Sequence, residues 1–265
     1  MTGSAMASNA AAVLMIAQRD FLKLLRDRPR LVSEFVFPII FIAVLGGSLQ
    51  ANLGASAGYD FVAFTFTGVL GMTMFQTTAQ GIISLIEDRE NDFSQEIFVS
   101  PVSRYAIVFG KILGETLVAS PVAAGIVIFA WVIGVPLTAA QLAGLAATGV
   151  AAAFFGGAFG VLVLANLRNQ RAAQQVFPFV MLPQYFLAGI FSPIAILPWY
   201  LDALSRISPM RYAVDLMRGA YYAERPERDL VVLADPLLDL AVIGLAFVLF
   251  MAVGTTLFVR SERNR

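Results

Sequence analysis

Apolar residues run in long stretches along this chain of 265 residues, broken by short polar links. A helix needs roughly 20 mostly apolar residues to cross the hydrocarbon core of a bilayer. Six stretches fit that reading: residues 31–50, 59–86, 105–135, 140–166, 176–191 and 237–259. The second and third are long enough to tilt or to project beyond the bilayer. The fifth is short and interrupted by Pro178 and Pro183. Pro38 and Pro121 fall within other spans, where a bend is tolerated if neighbours satisfy the freed carbonyls. The pattern predicts an all-α integral membrane protein, residues 29–265 forming one domain of six transmembrane helices.

Residues 1–10 are expected to be a disordered start, with no positive region ahead of a cleavable apolar core. Over 11–28 the spacing predicts an amphipathic helix. Leu14, Ala17, Phe21, Leu24 and Leu25 share one face, away from Arg19, Lys23 and Arg26. Such a helix fits equally the inner headgroup layer, with its basic residues toward anionic lipid, and a helix packed on protein.

Charge adds an orientation. Arg19, Lys23, Arg26, Arg28 and Arg30 precede the first span, Arg89, Arg104 and Lys111 follow the second, Arg168 and Arg171 the fourth, and Arg260, Arg263 and Arg265 the sixth. Alternating spans put these thirteen on one side and the five arginines of 198–230 on the other. The excess places both termini in the cytoplasm and the protein in the inner (plasma) membrane.

Composition then removes whole classes of function. Of the residues 58% are hydrophobic and 14% charged, far from the soluble average. Net charge is zero, which argues against a nucleic-acid partner. The chain has neither Cys nor His, so disulfides, thiolate nucleophiles and the usual metal ligands are missing, and no metal site is expected. The only Gly-Lys pair, Gly110-Lys111, has Tyr105 where a phosphate-binding loop needs glycine and Ile112 where it needs Ser or Thr. This chain is not expected to be an enzyme or to bind a cofactor.

Two candidate sites remain. In the second span Thr73, Gln76, Thr77 and Gln80 lie at i, i+3, i+4 and i+7, one polar stripe that must face another helix or a water-filled cavity. Phe177, Met181, Gln184 and Tyr185 of the fifth span offer apolar surface with few polar points. The second site is the connector EDRENDFSQEIFVSPVSR, where Glu87, Asp88, Glu90, Asp92 and Glu96 mix with Phe93 and Ile97, four apart on one helical face. Ser100 suits the cap of the following helix and Pro101 its first position. Glu34 and Glu115 each follow a cation by four residues, Arg30 and Lys111, which reads as local anchoring. Gly156 and Gly160 allow close helix approach.

The segment IEDRENDFSQEIFVSPVSRYAIVFGKILGE resembles the region after the second span in type-2 ABC exporter permeases. Glu87, Glu90, Glu96, Ser100, Pro101, Gly110 and Lys111 carry the resemblance. It departs where members commonly have Gly-Thr before the second acidic residue, since here Asp92-Phe93-Ser94-Gln95 leads to Glu96. A second match, FLAGIFSPIAILPWYLDALSRISPMRYAVDLMRGAYY, resembles the family's segment between spans five and six. The resemblance is closest to the drug- and antibiotic-resistance branch. It implies that 87–100 is a cytoplasmic coupling helix gripped by a partner ATPase, with Glu87, Arg89, Glu90, Phe93, Glu96, Ser100 and Pro101 in contact. It implies that 192–222 forms extracellular re-entrant helices shielding the exit, with Pro193, Trp199, Tyr212, Asp215 and Arg218 as a gate. Asp215 is expected to pair with Arg211 or Arg218. Two ABC ATPase subunits, holding ATP and Mg, would sit beneath two permease copies, and the stripe with Phe177, Met181, Gln184 and Tyr185 would bound the route of a hydrophobic or amphipathic small molecule. The alternative is an ion-coupled secondary transporter, which calls for repeated halves and a mid-span carboxylate.

Overall fold

The structure, a computed structural model, describes residues 2–90, 103–164, 167, 169–194 and 197–263. Helix α1 (Thr2–Arg26) is followed by α2 (Arg28–Phe41), a π-helical turn (Ile42–Gly46) and α3 (Gly47–Ala57), which run on as the first span. Then come α4 (Phe61–Gly81), α5 (Ile83–Glu90), α6 (Arg104–Val132), α7 (Ala139–Val163) and α8 (Gln170–Leu187). Two short outer helices, α9 (Trp199–Ser205) and α10 (Pro209–Tyr221), precede α11 (Arg228–Val231) and α12 (Pro236–Arg263).

Among the described residues, five helices are long and apolar enough to cross a membrane: Val32–Ala57, Phe61–Asp88, Arg104–Val132, Ala139–Val163 and Arg228–Arg260. The chain is thus an all-α integral membrane protein, with one difference from the six spans expected. The fifth stretch does form a helix, α8, but Gln170, Arg171, Gln174, Gln175 and Gln184 leave its 18 residues too polar to join that set. A second difference lies at the start. Helix α1 begins at Thr2, where a disordered segment is expected over 1–10; the alanines at 5, 7 and 10–12 are strong helix formers.

Capping fixes where the spans begin. The Asp60 carboxylate accepts from Ala63 N–H at 2.9 Å, and Thr138 with Gln141 forms a capping box. The third span is capped by Ser103, whose hydroxyl accepts from Ala106 N–H at 3.1 Å, so the helix starts at Arg104. Ser103 takes the role expected of Ser100, which lies outside the described residues with Pro101.

Helix α4 is the centre of the bundle, packed against α6, α7 and α10, with most of its side chains buried. Its backbone meets α7 at the two glycines. A Cβ on Gly156 would overlap the Phe75 carbonyl, and one on Gly160 would lie 2.6 Å from the Ala79 oxygen. The Thr78 hydroxyl crosses the same seam to donate to Ala153 O at 2.7 Å. Close approach replaces the hydrophobic drive that lipid cannot supply between helices. Gly156→Val should therefore cost at least the ~1–3 kcal/mol typical of overpacking, read as a lower unfolding temperature in detergent. Gly47→Ala, where a Cβ meets nothing within 4 Å, should leave that temperature unchanged. Equal losses at both positions would refute the seam.

Candidate functional site

The N-terminal ends of α2 and α8 and the C-terminal end of α4 with α5 converge on one side of the bundle, as antiparallel spans require. Between them lies a cavity of about 440 Å³. Helix α4 supplies Thr73, Gln76, Thr77 and Gln80, so the whole predicted stripe opens into one space. Across from it are Ser33, Glu34 and Phe37 of α2, Ser84 and Glu87 of α5, and Gln170 and Gln174 of α8.

Of the four fifth-span candidates, Tyr185 is hydrogen-bonded to the stripe: its hydroxyl donates to Gln76 Oε1 at 2.8 Å. Phe177, Met181 and Gln184 are buried. Gln184 accepts from Met210 N–H at 3.2 Å and so ties α8 to α10. Sequence reasoning missed Gln170 and Gln174, though the signal was present. Gln170, Gln174, Phe177, Met181 and Gln184 follow one helical stripe, and its first turns are amides.

The connector is approached from α1. Helix α1 lies on α6 through Val13 and Ala17, whose Cα atoms come within 3.0 and 3.1 Å of where Cβ atoms on Gly110 and Gly114 would be. Asp20 is buried in the same contact, while Leu14 and Leu25 face outward, 64% and 49% exposed. The inward face thus runs through Asp20 rather than Leu14 and Leu25. Lys111 donates to Asp20 at 2.7 Å and sits 3.4 Å from Glu115, which accepts from Ser84 at 3.3 Å. The expected Lys111–Glu115 pair is present, and Asp20, 91 positions from Lys111, completes it. An acid among the apolar positions of an amphipathic helix was the available signal for Asp20.

Helix α1 also touches both ends of the connector. Arg19 donates to Asp88 at 2.6 Å, and Ser103 N–H donates to Asn9 Oδ1 at 3.0 Å. Burial works against the Arg19 charge, but the hydrogen bond to Asp88 and the nearby Asp20 outweigh it and raise its pKa. Glu87 lines the cavity, while α5 carries the backbone through Arg89 and Glu90. Phe93, Glu96, Ser100 and Pro101 lie outside the described residues, as does the coupling helix expected there.

At the opposite end of the bundle Trp199 is 82% exposed, and Tyr212 donates its hydroxyl to Arg206 O. Pro193 lies half-buried in the link before α9. Asp215 differs from expectation: its carboxylate accepts from Leu233 and Ala234 N–H groups at 2.9 Å each, capping the turn before α12. Arg211 is taken instead by Asp202, at 3.2 Å, and by the Ser205 hydroxyl. Hydrogen bonding to Arg206 leads the causes that hold the half-buried Asp202 carboxyl below its ordinary range. Arg218 is buried, stacks 3.8 Å from the Phe64 ring centre and donates to Gly189 O at 2.7 Å. It clamps the turn after α8, where Gly189 has φ +72° and a Cβ would press on Ile194. These contacts join 209–234 into one outer block tied to α4 and to the turn after α8.

Among the described residues no group of His, Cys, Asp or Glu could hold a metal ion. A comparison with curated proteins finds no match. The model of one family, described as ABC-2 type transporter, matches residues 11–222 and so spans the α1 strut, the polar cavity, the connector and the clamped outer turn. The chain belongs to that family and is a multi-pass permease subunit of an ABC transporter.

Proposed function

We propose that this permease works in export, as one of two membrane subunits driven by two separate ABC ATPases that bind ATP and Mg. It stands in the plasma (inner) membrane with both termini in the cytoplasm. Its cargo is an amphipathic small molecule of drug, antibiotic or lipid-like kind. The observation that carries this reading is the polar cavity, which lies on the side where the basic residues cluster and is bounded by Glu87 at the start of the connector. A ligand there is in contact with the span that leads into the ATPase-gripped segment. Nucleotide closure that moves the connector moves the C-terminal end of α4 and α5, and with it one wall of the cavity. The outer block held by Arg218 and Asp215 then acts as the exit gate, a two-state assembly whose balance ATP shifts.

The test is reconstitution with the partner ABC ATPase. Vesicles holding both should accumulate a fluorescent amphiphile when ATP and Mg are added on the ATPase side. Vesicles holding the permease alone should not, with or without a proton or sodium gradient. Gradient-driven uptake by the permease alone would overturn the reading.

A further inference from the structure

A second cavity, of about 290 Å³, opens on a different face of α4, between α6 and α7. Its floor is buried: Leu70 and Met74 of α4, Leu145 of α7 and Met217 of α10. Its rim, Ser120 and Ala124 of α6 with Leu142, Ala146 and Val150 of α7, is exposed along two membrane spans. The slot therefore opens sideways into hydrocarbon rather than into water. From Ser120 to Val127 it runs about 10 Å along α6, within the ~15 Å depth of one leaflet. The Ser120 hydroxyl is satisfied within α6, donating to Thr116 O at 2.8 Å, so the slot presents an apolar wall. Gly149 keeps it open. Where Gly156 and Gly160 serve backbone approach, a Cβ on Gly149 would meet nothing nearer than the Met74 and Met217 side chains, at 3.7 Å. A glycine inside a helix carries an entropic cost, and here the volume it leaves, not close packing, accounts for it.

A cation stands beyond the outer end of the slot. One turn past Met217 on α10 is Tyr221, and the Arg225 guanidinium lies 4.4 Å from its ring centre. Arg225 donates at 2.8 Å to the carbonyl of Pro136, in the link between α6 and α7. Gln141, next to Leu142 of the rim, donates to Tyr221 O at 2.8 Å and ties the same corner together. The Arg225 Nε is buried and has no hydrogen-bond partner among the described residues. We propose that this slot is a phospholipid site: one acyl chain lies between α6 and α7 on Met74 and Met217, and the phosphate is held at Arg225. A purely apolar molecule would fill the slot but leave the guanidinium unmet. Glu224 and Glu227 flank Arg225 in sequence, so a zwitterionic head, which carries its own cation, suits the corner better than a purely anionic one. The leaflet, though not the site, rests on the orientation proposed above, which makes it the outer one. Occupied, the slot braces α6 and α7 against α4, which walls the polar cavity, and against α10 of the outer block.

The experiment uses the purified full chain in mild detergent with two photoreactive lipids that carry a diazirine on the same acyl chain, a phosphatidylethanolamine and a diacylglycerol. Peptide mapping should place the phosphatidylethanolamine label mainly within 120–127 and 142–150. There it should exceed the diacylglycerol label roughly tenfold, the lower end for a hydrogen bond to a charged group. Arg225→Gln should bring the two lipids level, and Arg225→Lys should keep part of the difference. Gly149→Leu or, from the rim, Ala146→Leu should remove the label of both. Phosphatidylethanolamine should raise the unfolding temperature of the wild type but not of a slot-filled variant that starts equally stable. Label spread evenly over the lipid-facing spans would mark an annular lipid only and overturn the proposal. Equal labelling by the two lipids in the wild type, or a preference that Arg225→Gln leaves intact, would overturn it as well. Because labelling is read on the permease without ATP, it stands apart from the transport assay. Failed ATP-driven uptake would leave this site standing, and failed labelling would leave the exporter reading intact.

Discussion

Lys111→Met should destabilise the folded protein by about 3–5 kcal/mol, the loss expected when one partner of a buried ion pair is removed and the others stay charged. The Lys111, Asp20 and Glu115 side chains are each 4% exposed or less. In the variant two carboxylates face one another across the α1–α6 contact, and Arg19, 3.0 Å from Asp20, is already shared with Asp88. Unfolding temperature in detergent measures the loss. The triple change Asp20→Asn, Lys111→Met and Glu115→Gln should recover much of it, because neutral groups of similar shape remove the stranded charge. A Lys111→Met protein within about 0.5 kcal/mol of wild type, the range of an ordinary surface change, would show that the cluster holds nothing together.

The same cluster gives physical content to Gly110-Lys111, the pair that carries part of the family resemblance. Gly110 lets the α1 backbone approach α6, and Lys111 fixes its register by pairing with Asp20. Neither function requires phosphate, which agrees with the mismatched residues around the pair.

What could be read from the chain was what depends on short range. The α4 stripe was legible because Thr73, Gln76, Thr77 and Gln80 repeat at helical spacing, and a lipid-facing polar stripe is too costly to be an accident. The Gly156 and Gly160 approach was legible for the same reason. Partner choice across long separations was not. Asp215 had two arginines at helical spacing, and nothing local shows that Leu233 and Ala234 bring unsatisfied N–H groups to it. Asp20 looked like one more charge on an amphipathic helix until α6 supplied its cation. The face of α1 was misjudged through Leu14 and Leu25 because, in a membrane protein, an apolar side chain is as much at home facing lipid as facing protein. The same ambiguity hid Gln170 and Gln174: apolar Phe177 and Met181, buried in the core cluster of this chain, drew attention away from the amides of α8 at the cavity.

Glutamine at Glu90 and Glu96 together should abolish ATP-driven transport while leaving the unfolding temperature of the permease unchanged. The expectation rests on what holds the connector. Helix α1 is bonded to it on both sides, Arg19 to Asp88 and Asn9 to Ser103, and is fastened to α6 through Lys111. A pull on the segment between these points reaches the second span through α5 and the third through α1, so two walls of the bundle move together. Removing the charges by which a basic groove would grip that segment leaves every one of these internal contacts in place. Glu87→Gln made separately should behave differently, because Glu87 also lines the cavity: it should change ligand preference as well as rate. The readouts are uptake into vesicles, ATPase activity and co-purification of the ATPase. Loss of uptake with continued ATP hydrolysis would mark uncoupling, and loss of co-purification would mark a broken grip. Normal uptake in the double variant would mean that the force enters elsewhere, and the strut formed by α1 would then be a structural brace alone.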